Sequence, residues 1–136
     1  IAAPAIVGLG FLGGRLDHQL AAFHVLFRFA HQPCVLLGHD EVVFLCPPQI
    51  TLPLAAGTPV SLFPLTALNG QADGLKWSFA SLDFAPDQRI GTSNKANGPI
   101  TLQMSKPGML CILPARCLED VLAALLALPC SWPAHA

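Results

Sequence analysis

From Cys34 to Pro114 the chain alternates short β-type runs with turn signals, and that rhythm limits the fold more than any other feature. The runs are Cys34 to Leu37, Glu41 to Cys46, Gln49 to Leu54, Thr58 to Leu65, Gly74 to Ala80, Pro99 to Ser105 and Met109 to Pro114. Pro47-Pro48, Ala56-Gly57, Asn69-Gly70 and Pro107-Gly108 read as turns between them. Short strands at this spacing predict a mainly β chain built as an antiparallel sandwich or barrel.

The ends read differently. Ala5 to Leu9 is an apolar strand candidate, and Leu16, Leu20, Phe23, Val25, Leu26 and Phe29 keep a broad helical spacing, with Asp17 placed to favour the helix N-terminus. A helix so apolar is normally covered on two sides, here by an adjoining sheet or a second subunit, and nothing later in the chain reads as a parallel sheet able to cover it. Leu118 to Leu128 is a second apolar helix, with Glu119 and Asp120 in its first turn and Pro129 and Pro133 as stops. Trp132 in the tail is expected to pack locally. Helix gives way to strand between His31 and Asp40. The chain opens on Ile1 with a strand and helix that lack their own domain, so it is expected to begin inside a larger protein.

At 136 residues and 53% hydrophobic content one core can form unaided. A net charge of −1 with 11% charged residues offers no field for nucleic acid and no polybasic patch for a membrane. The apolar Ile1 to Gly14 has no basic region before it and is too short to span a bilayer. Cys34, Cys46, Cys111, Cys117 and Cys130 are odd in number and never spaced C-x-x-C, which argues against a disulfide framework or a zinc site. They read as buried thiols of a cytoplasmic protein.

Two polar clusters carry the chemistry. In the first, Gly13-Gly14-Arg15-Leu16-Asp17-His18 joins the strand to the helix, so backbone N–H groups, a guanidinium, a carboxylate and an imidazole meet where a phosphorylated ligand is best held. Gly8, Gly10 and Gly13 also spell G-x-G-x-x-G, and Asp40 closes a second apolar run, the pattern of an NAD(P)-binding Rossmann unit. That reading needs further strand and helix repeats, which the β-rich remainder does not supply. In the second cluster, Gly74-Leu75-Lys76-Trp77 offers a flat face for stacking a ring. Gly91-Thr92-Ser93-Asn94, read as a loop, offers donors and acceptors for a heteroaromatic edge.

Together the two clusters resemble thiamin pyrophosphokinases. That family has a Gly-Gly-Arg-x-Asp-His segment ending an α/β catalytic domain, then a small β-sandwich with a Ser-x-x-Pro-Leu strand, a Gly-x-x-Trp strand and a Ser-Asn loop. The matches here are Gly13 to His18, Ser61-Leu62-Phe63-Pro64-Leu65, Gly74 to Trp77 and Thr92-Ser93-Asn94, in the same order, over about Ile6 to Pro114. The resemblance implies an antiparallel β-sandwich preceded by a residual strand and helix of the α/β domain. Residues 1–33 would be the catalytic remnant, 34–116 the thiamin-binding sandwich, and 117–136 a C-terminal helix and tail. It implies a homodimer that transfers pyrophosphate from ATP to thiamin with magnesium, giving thiamin diphosphate and AMP.

Under the same resemblance Arg15 and Asp17 are catalytic, and Gly13, Gly14, Arg15 and His18 hold the nucleotide. Asp17, Trp77, Ser93 and Asn94 bind thiamin. The family's acidic magnesium motifs lie upstream of the Gly-Gly-Arg segment and are missing here, so no metal ligand is assigned and the fragment alone is expected to be inactive. Position 95 is Lys, where many relatives carry Glu. Other readings stay open. Arg15 and Asp17 are also what a salt-bridged helix start looks like, His18 a structural histidine holding a backbone carbonyl, Trp77 a sandwich core residue, and Ser93 and Asn94 turn formers. The whole chain then reads as a non-catalytic sandwich that binds a small ligand or dimerises.

Overall fold

The first layer begins with a strand, a helix and a strand in the order β1 (Ile6–Leu9), α1 (Leu16–Arg28) and β2 (Cys34–Leu37). The computed structural model describes residues 4–128 and 131–134. β1 and β2 run parallel, from Ile6 opposite Cys34 to Leu9 opposite Leu37. After β2 the chain turns back as antiparallel β3 (Glu41–Leu45), so the pattern of a dinucleotide fold stops after one unit. There follow β4 (Gln49–Leu52), β5 (Pro59–Pro64), β6 (Leu68–Leu75), β7 (Phe79–Phe84), β8 (Gly91–Met104) and β9 (Met109–Pro114). A 3-10 turn over Ala115–Cys117 leads into α2 (Leu118–Leu126).

The strands lie in the order β1-β2-β3-β9-β5-β8-β6-β7, with β4 also paired to β8. β8 serves two layers. Its first half pairs with β5 around Asn94 and Lys95, and its second half lies between β4 and β6 from Ile100 to Met104. The result is a sandwich of β1-β2-β3-β9-β5 over β4-β8-β6-β7, with β8 crossing from one to the other. Strand alternation then sorts the side chains. Val35, Val42, Phe44, Cys111 and Leu113 face the core between the layers with Leu52, Ile100 and Leu102. Leu36, Val43 and Leu110 face outward, onto Ala22 and Leu26 of α1. α2 closes one side against β2 and β4 through Val121 and Leu125.

Several sequence expectations change here. The segment Gly74–Ala80 is not one strand: Gly74 and Leu75 end β6, Lys76, Trp77 and Ser78 reverse the chain, and Phe79 and Ala80 begin β7, while Asn69-Gly70, expected as a turn, lies inside β6. Gly70 sits there because Phe84 and the Met104 sulfur close over the place a Cβ would take, 3.0 Å from that sulfur. Gly91 to Asn94, expected as a loop, is the start of β8, held by pairing with β5. α1 does find a sheet, the outer face of β2, β3 and β9, and is covered on that side only. Leu16, Leu20, Val25 and Phe29 stay exposed, next in sequence to exposed Ile6, Val7, Leu9 and Phe11. Trp132 shares a hollow with Leu125 and Leu128 of its own end of the chain and also reaches far from it: its indole N–H donates to the Cys46 carbonyl at 2.8 Å, 86 residues away. Pro129, Cys130 and His135 lie outside the described residues.

Candidate functional site

The motifs of the second cluster are joined by hydrogen bonds across three strands. Ser93 carries a φ of 68°, rare for a residue with a side chain, where the pairing of β5 with β8 shifts register between Val60 and Leu62. The Ser61 hydroxyl stabilises that irregularity by accepting from the Ser93 N–H at 3.0 Å. Next along β8, the Asn94 amide grips the β6–β7 turn. Its oxygen accepts from the Trp77 N–H at 3.2 Å and the Lys95 N–H at 2.8 Å, and its nitrogen donates to the Trp77 carbonyl at 3.1 Å. One amide N–H remains to meet a ligand. The turn is closed further by the Ser78 hydroxyl, bonded to both the N–H and the carbonyl of Leu75.

This frame presents Trp77 rather than burying it. The indole is 55% exposed, so it is not a core residue, and the Lys76 ammonium lies 4.6 Å from its ring centre. Trp77 borders a hollow of about 230 Å³ shared with Phe79, Phe84, Arg89, Thr92 and Asn94. Small-molecule sites usually enclose about 300–1,000 Å³. The hollow therefore suits one ring, leaving the rest of a larger ligand outside. Sequence reading missed Arg89 and the supporting role of Ser61.

In the first cluster the Arg15 guanidinium grips Asp17 with Nε at 3.1 Å and a terminal nitrogen at 2.6 Å, and the His18 N–H donates to the same carboxylate at 3.0 Å. Both charged side chains are more than 60% exposed, and a pair in that setting contributes less than about 1 kcal/mol. Gly13, at a φ of +80° that suits glycine, donates its N–H to the Gln19 side chain at 3.0 Å. Gly13 and Gln19 line a hollow with His39, Asp40 and Glu41. Gly14 is open around its Cα. His18 instead borders a separate apolar hollow with Phe11, Val25 and Leu36. No bond from its ring to a backbone carbonyl is found among the described residues.

Among the described residues no hydrogen bond joins the two clusters, and they line different hollows. The first follows β1, at one end of the strand order, and the second lies on β8 and the β6–β7 turn, five strand steps on. For magnesium, no group of three or more His, Cys, Asp or Glu side chains converges among the described residues, so the residues described do not fit that ion by themselves.

Among the described residues the cysteines add no nucleophile. Cys46, Cys111 and Cys117 are buried and Cys34 is half-buried rather than fully enclosed. Burial pushes the Cys34 and Cys117 thiols up, and a hydrogen bond with Cys46, then burial, takes Cys111 well above the ordinary thiol value. These thiols stay protonated at neutral pH. Because the folded chain holds those protons more tightly than the unfolded one, their contribution is complete below about pH 8.5 and is lost as pH rises beyond it. Urea midpoints measured across that range are expected to fall with rising pH; a flat profile would contradict this account.

No family model matches the chain. Over 96 residues it is 31% identical to "Thiamine pyrophosphokinase 1" of Oryza sativa subsp. japonica, a match covering 65% of this chain and 36% of that protein. Over 92 residues it is 34% identical to "Thiamine pyrophosphokinase 2" of the same plant, covering 62% and 34%. In fold it is similar to the thiamin pyrophosphokinase from Candida albicans, with a TM-score of 0.75, 16% identity, and coverage of 84% of this chain and 45% of that one. The chain thus spans about a third of the length of the curated relatives it matches. With the strand order and the Ser61, Trp77 and Asn94 frame in view, the matched part of the chain is similar in sequence to these plant thiamine pyrophosphokinases and in fold to the Candida albicans one.

Proposed function

We propose that this chain supplies the thiamin-binding sandwich and the Gly-Gly-Arg segment of a thiamin pyrophosphokinase acting as a homodimer in the cytoplasm. In this reading residues 1–33 complete the catalytic α/β domain, 34–116 bind thiamin and 117–136 brace the sandwich. The reaction is transfer of a diphosphoryl group from ATP: the thiamin hydroxyl oxygen bonds to the β-phosphorus, the bond from that phosphorus to the α-phosphate bridging oxygen breaks, and AMP leaves. The observation that carries the reading is Trp77, half exposed on a turn that Asn94 holds by both its N–H and its carbonyl. A ring-sized hollow lies beside it.

Each residue then has a task. Trp77 stacks on a thiamin ring, Asn94 fixes Trp77 and spends its last N–H on the ligand, and Ser93 shapes the wall. Arg15 holds Asp17 through Nε and one terminal nitrogen, which leaves the other terminal nitrogen for a phosphate oxygen. In this reading the Gly14 amide meets that phosphate and Asp17 takes the hydroxyl proton, while the Gly13 N–H is held by Gln19 and the His18 ring borders a separate apolar hollow. Such transfer depends on alignment and on placed cations and amides. Trp77 and the Arg15 cluster line no common hollow among the described residues, and in this reading the Arg15 cluster that serves a ring on Trp77 is supplied by the second copy. The free thiols of the described residues favour a reducing compartment, and no helix of the described residues is long and apolar enough to cross a membrane.

Calorimetric titration of the full chain with thiamin tests this reading. Trp77→Ala is expected to weaken thiamin about tenfold, the loss of one desolvated aromatic stack. Unchanged affinity in the variant would remove Trp77 from the site.

A further inference from the structure

The charge around the Trp77 hollow does not match thiamin itself. Its lining contains one ionisable side chain, the exposed Arg89, and no carboxylate. A second cation, Lys76, lies over the indole at 4.6 Å. Neither is in an ion pair among the described residues, whose pairs are Arg15 with Asp17 and His39 with Asp40. Thiamin carries a fixed positive charge on its thiazolium ring, so two unpaired cations oppose it. Its diphosphate ester carries more negative than positive charge, and a guanidinium is the side chain best shaped for a phosphate.

We infer that Arg89 is a phosphate-binding residue of the Trp77 pocket, which therefore holds the diphosphorylated vitamin more tightly than thiamin. The inference rests on the thiamin reading of this pocket. It adds a specificity: the ring stacks on Trp77 while Arg89 donates to the ester phosphate, and the site retains its product. Since the hollow holds one ring and Arg89 is exposed at its edge, the phosphates lie outside the hollow, where the guanidinium can reach them.

The test is calorimetry on the full chain with thiamin, thiamin diphosphate and inorganic pyrophosphate, in EDTA so that the phosphates keep their own charge. Wild-type protein is expected to bind thiamin diphosphate about tenfold more tightly than thiamin, the scale of one charge-assisted phosphate contact. Added KCl should reduce that preference. Arg89→Gln should weaken the diphosphate by a similar factor without weakening thiamin, whose like charge the guanidinium opposes. Equal affinities in wild type, or a preference that survives Arg89→Gln, would overturn the inference while leaving the thiamin pocket standing if Trp77→Ala still weakens thiamin. Pyrophosphate binding as tightly as the diphosphate ester would also overturn it, since the ring would contribute nothing. Failure of both vitamin forms to bind would overturn the inference and the pocket together.

Discussion

Gly74→Ala is expected to lower the stability of the chain by about 3 kcal/mol or more, combining left-handed backbone strain with overpacking. Gly74 has a φ of +85° on β6, directly against β8. A methyl group there would overlap the Pro99 carbonyl oxygen and lie 3.1 Å from the Ile100 Cα. Both are backbone atoms, so no rotamer change relieves the clash, and β6 must part from β8. The damage falls two residues before Lys76, whose N–H donates to the Lys95 carbonyl at 2.8 Å and helps seat the Trp77 turn. Urea unfolding should show a lower midpoint at an unchanged slope, together with weaker thiamin binding. A loss below about 1 kcal/mol would show that the two strands separate at little cost, contrary to this packing.

Phe44→Ala is the second large effect, with an expected loss of about 3–5 kcal/mol. Phe44 is 0% exposed, and on β3 it stands between Val35 of β2 and Cys111 of β9. Backbone pairing on both sides fixes the distance between those neighbours, so the vacated space cannot collapse. Thermal and urea melts measure the loss. A value near that of an ordinary surface substitution would mean that the two layers close over the gap, and would contradict the packing described for this core.

Much of this fold is legible in the chain, for identifiable reasons. β2 and β9 match the expected Cys34–Leu37 and Met109–Pro114 because Pro33 and Pro107-Gly108 mark where they start. The expected helix from Leu16 to Phe29 ends one residue early, at Arg28. What misleads is glycine with two meanings. Asn69-Gly70 has the composition of a hairpin turn, yet Gly70 is in mid-strand because Met104 and Phe84 need its missing side chain. The first half of β8 is rich in Gly, Ser and Asn, poor strand formers, and only its distant partner β5 makes it a strand.

The same division applies to the candidate site. Trp77 and Asn94 stand out as residue types in a motif, but their mutual grip depends on a strand contact spanning 17 positions. Ser61 and Arg89 carry no local signal for their places beside Ser93 and Trp77. The separation of the Arg15 and Trp77 clusters is a property of strand order, which no local pattern encodes.

β8 gives the molecule a mechanical unity. One unbroken strand of 14 residues belongs to both layers, pairing with β5 in one and with β4 and β6 in the other. Neither layer can peel away without tearing the strand that completes its neighbour, so unfolding has no natural halfway point between them. Asn94, which steers Trp77, lies on this shared strand. The ring-binding face therefore loosens only when the whole sandwich does, and its local rigidity is set by the global stability of the fold.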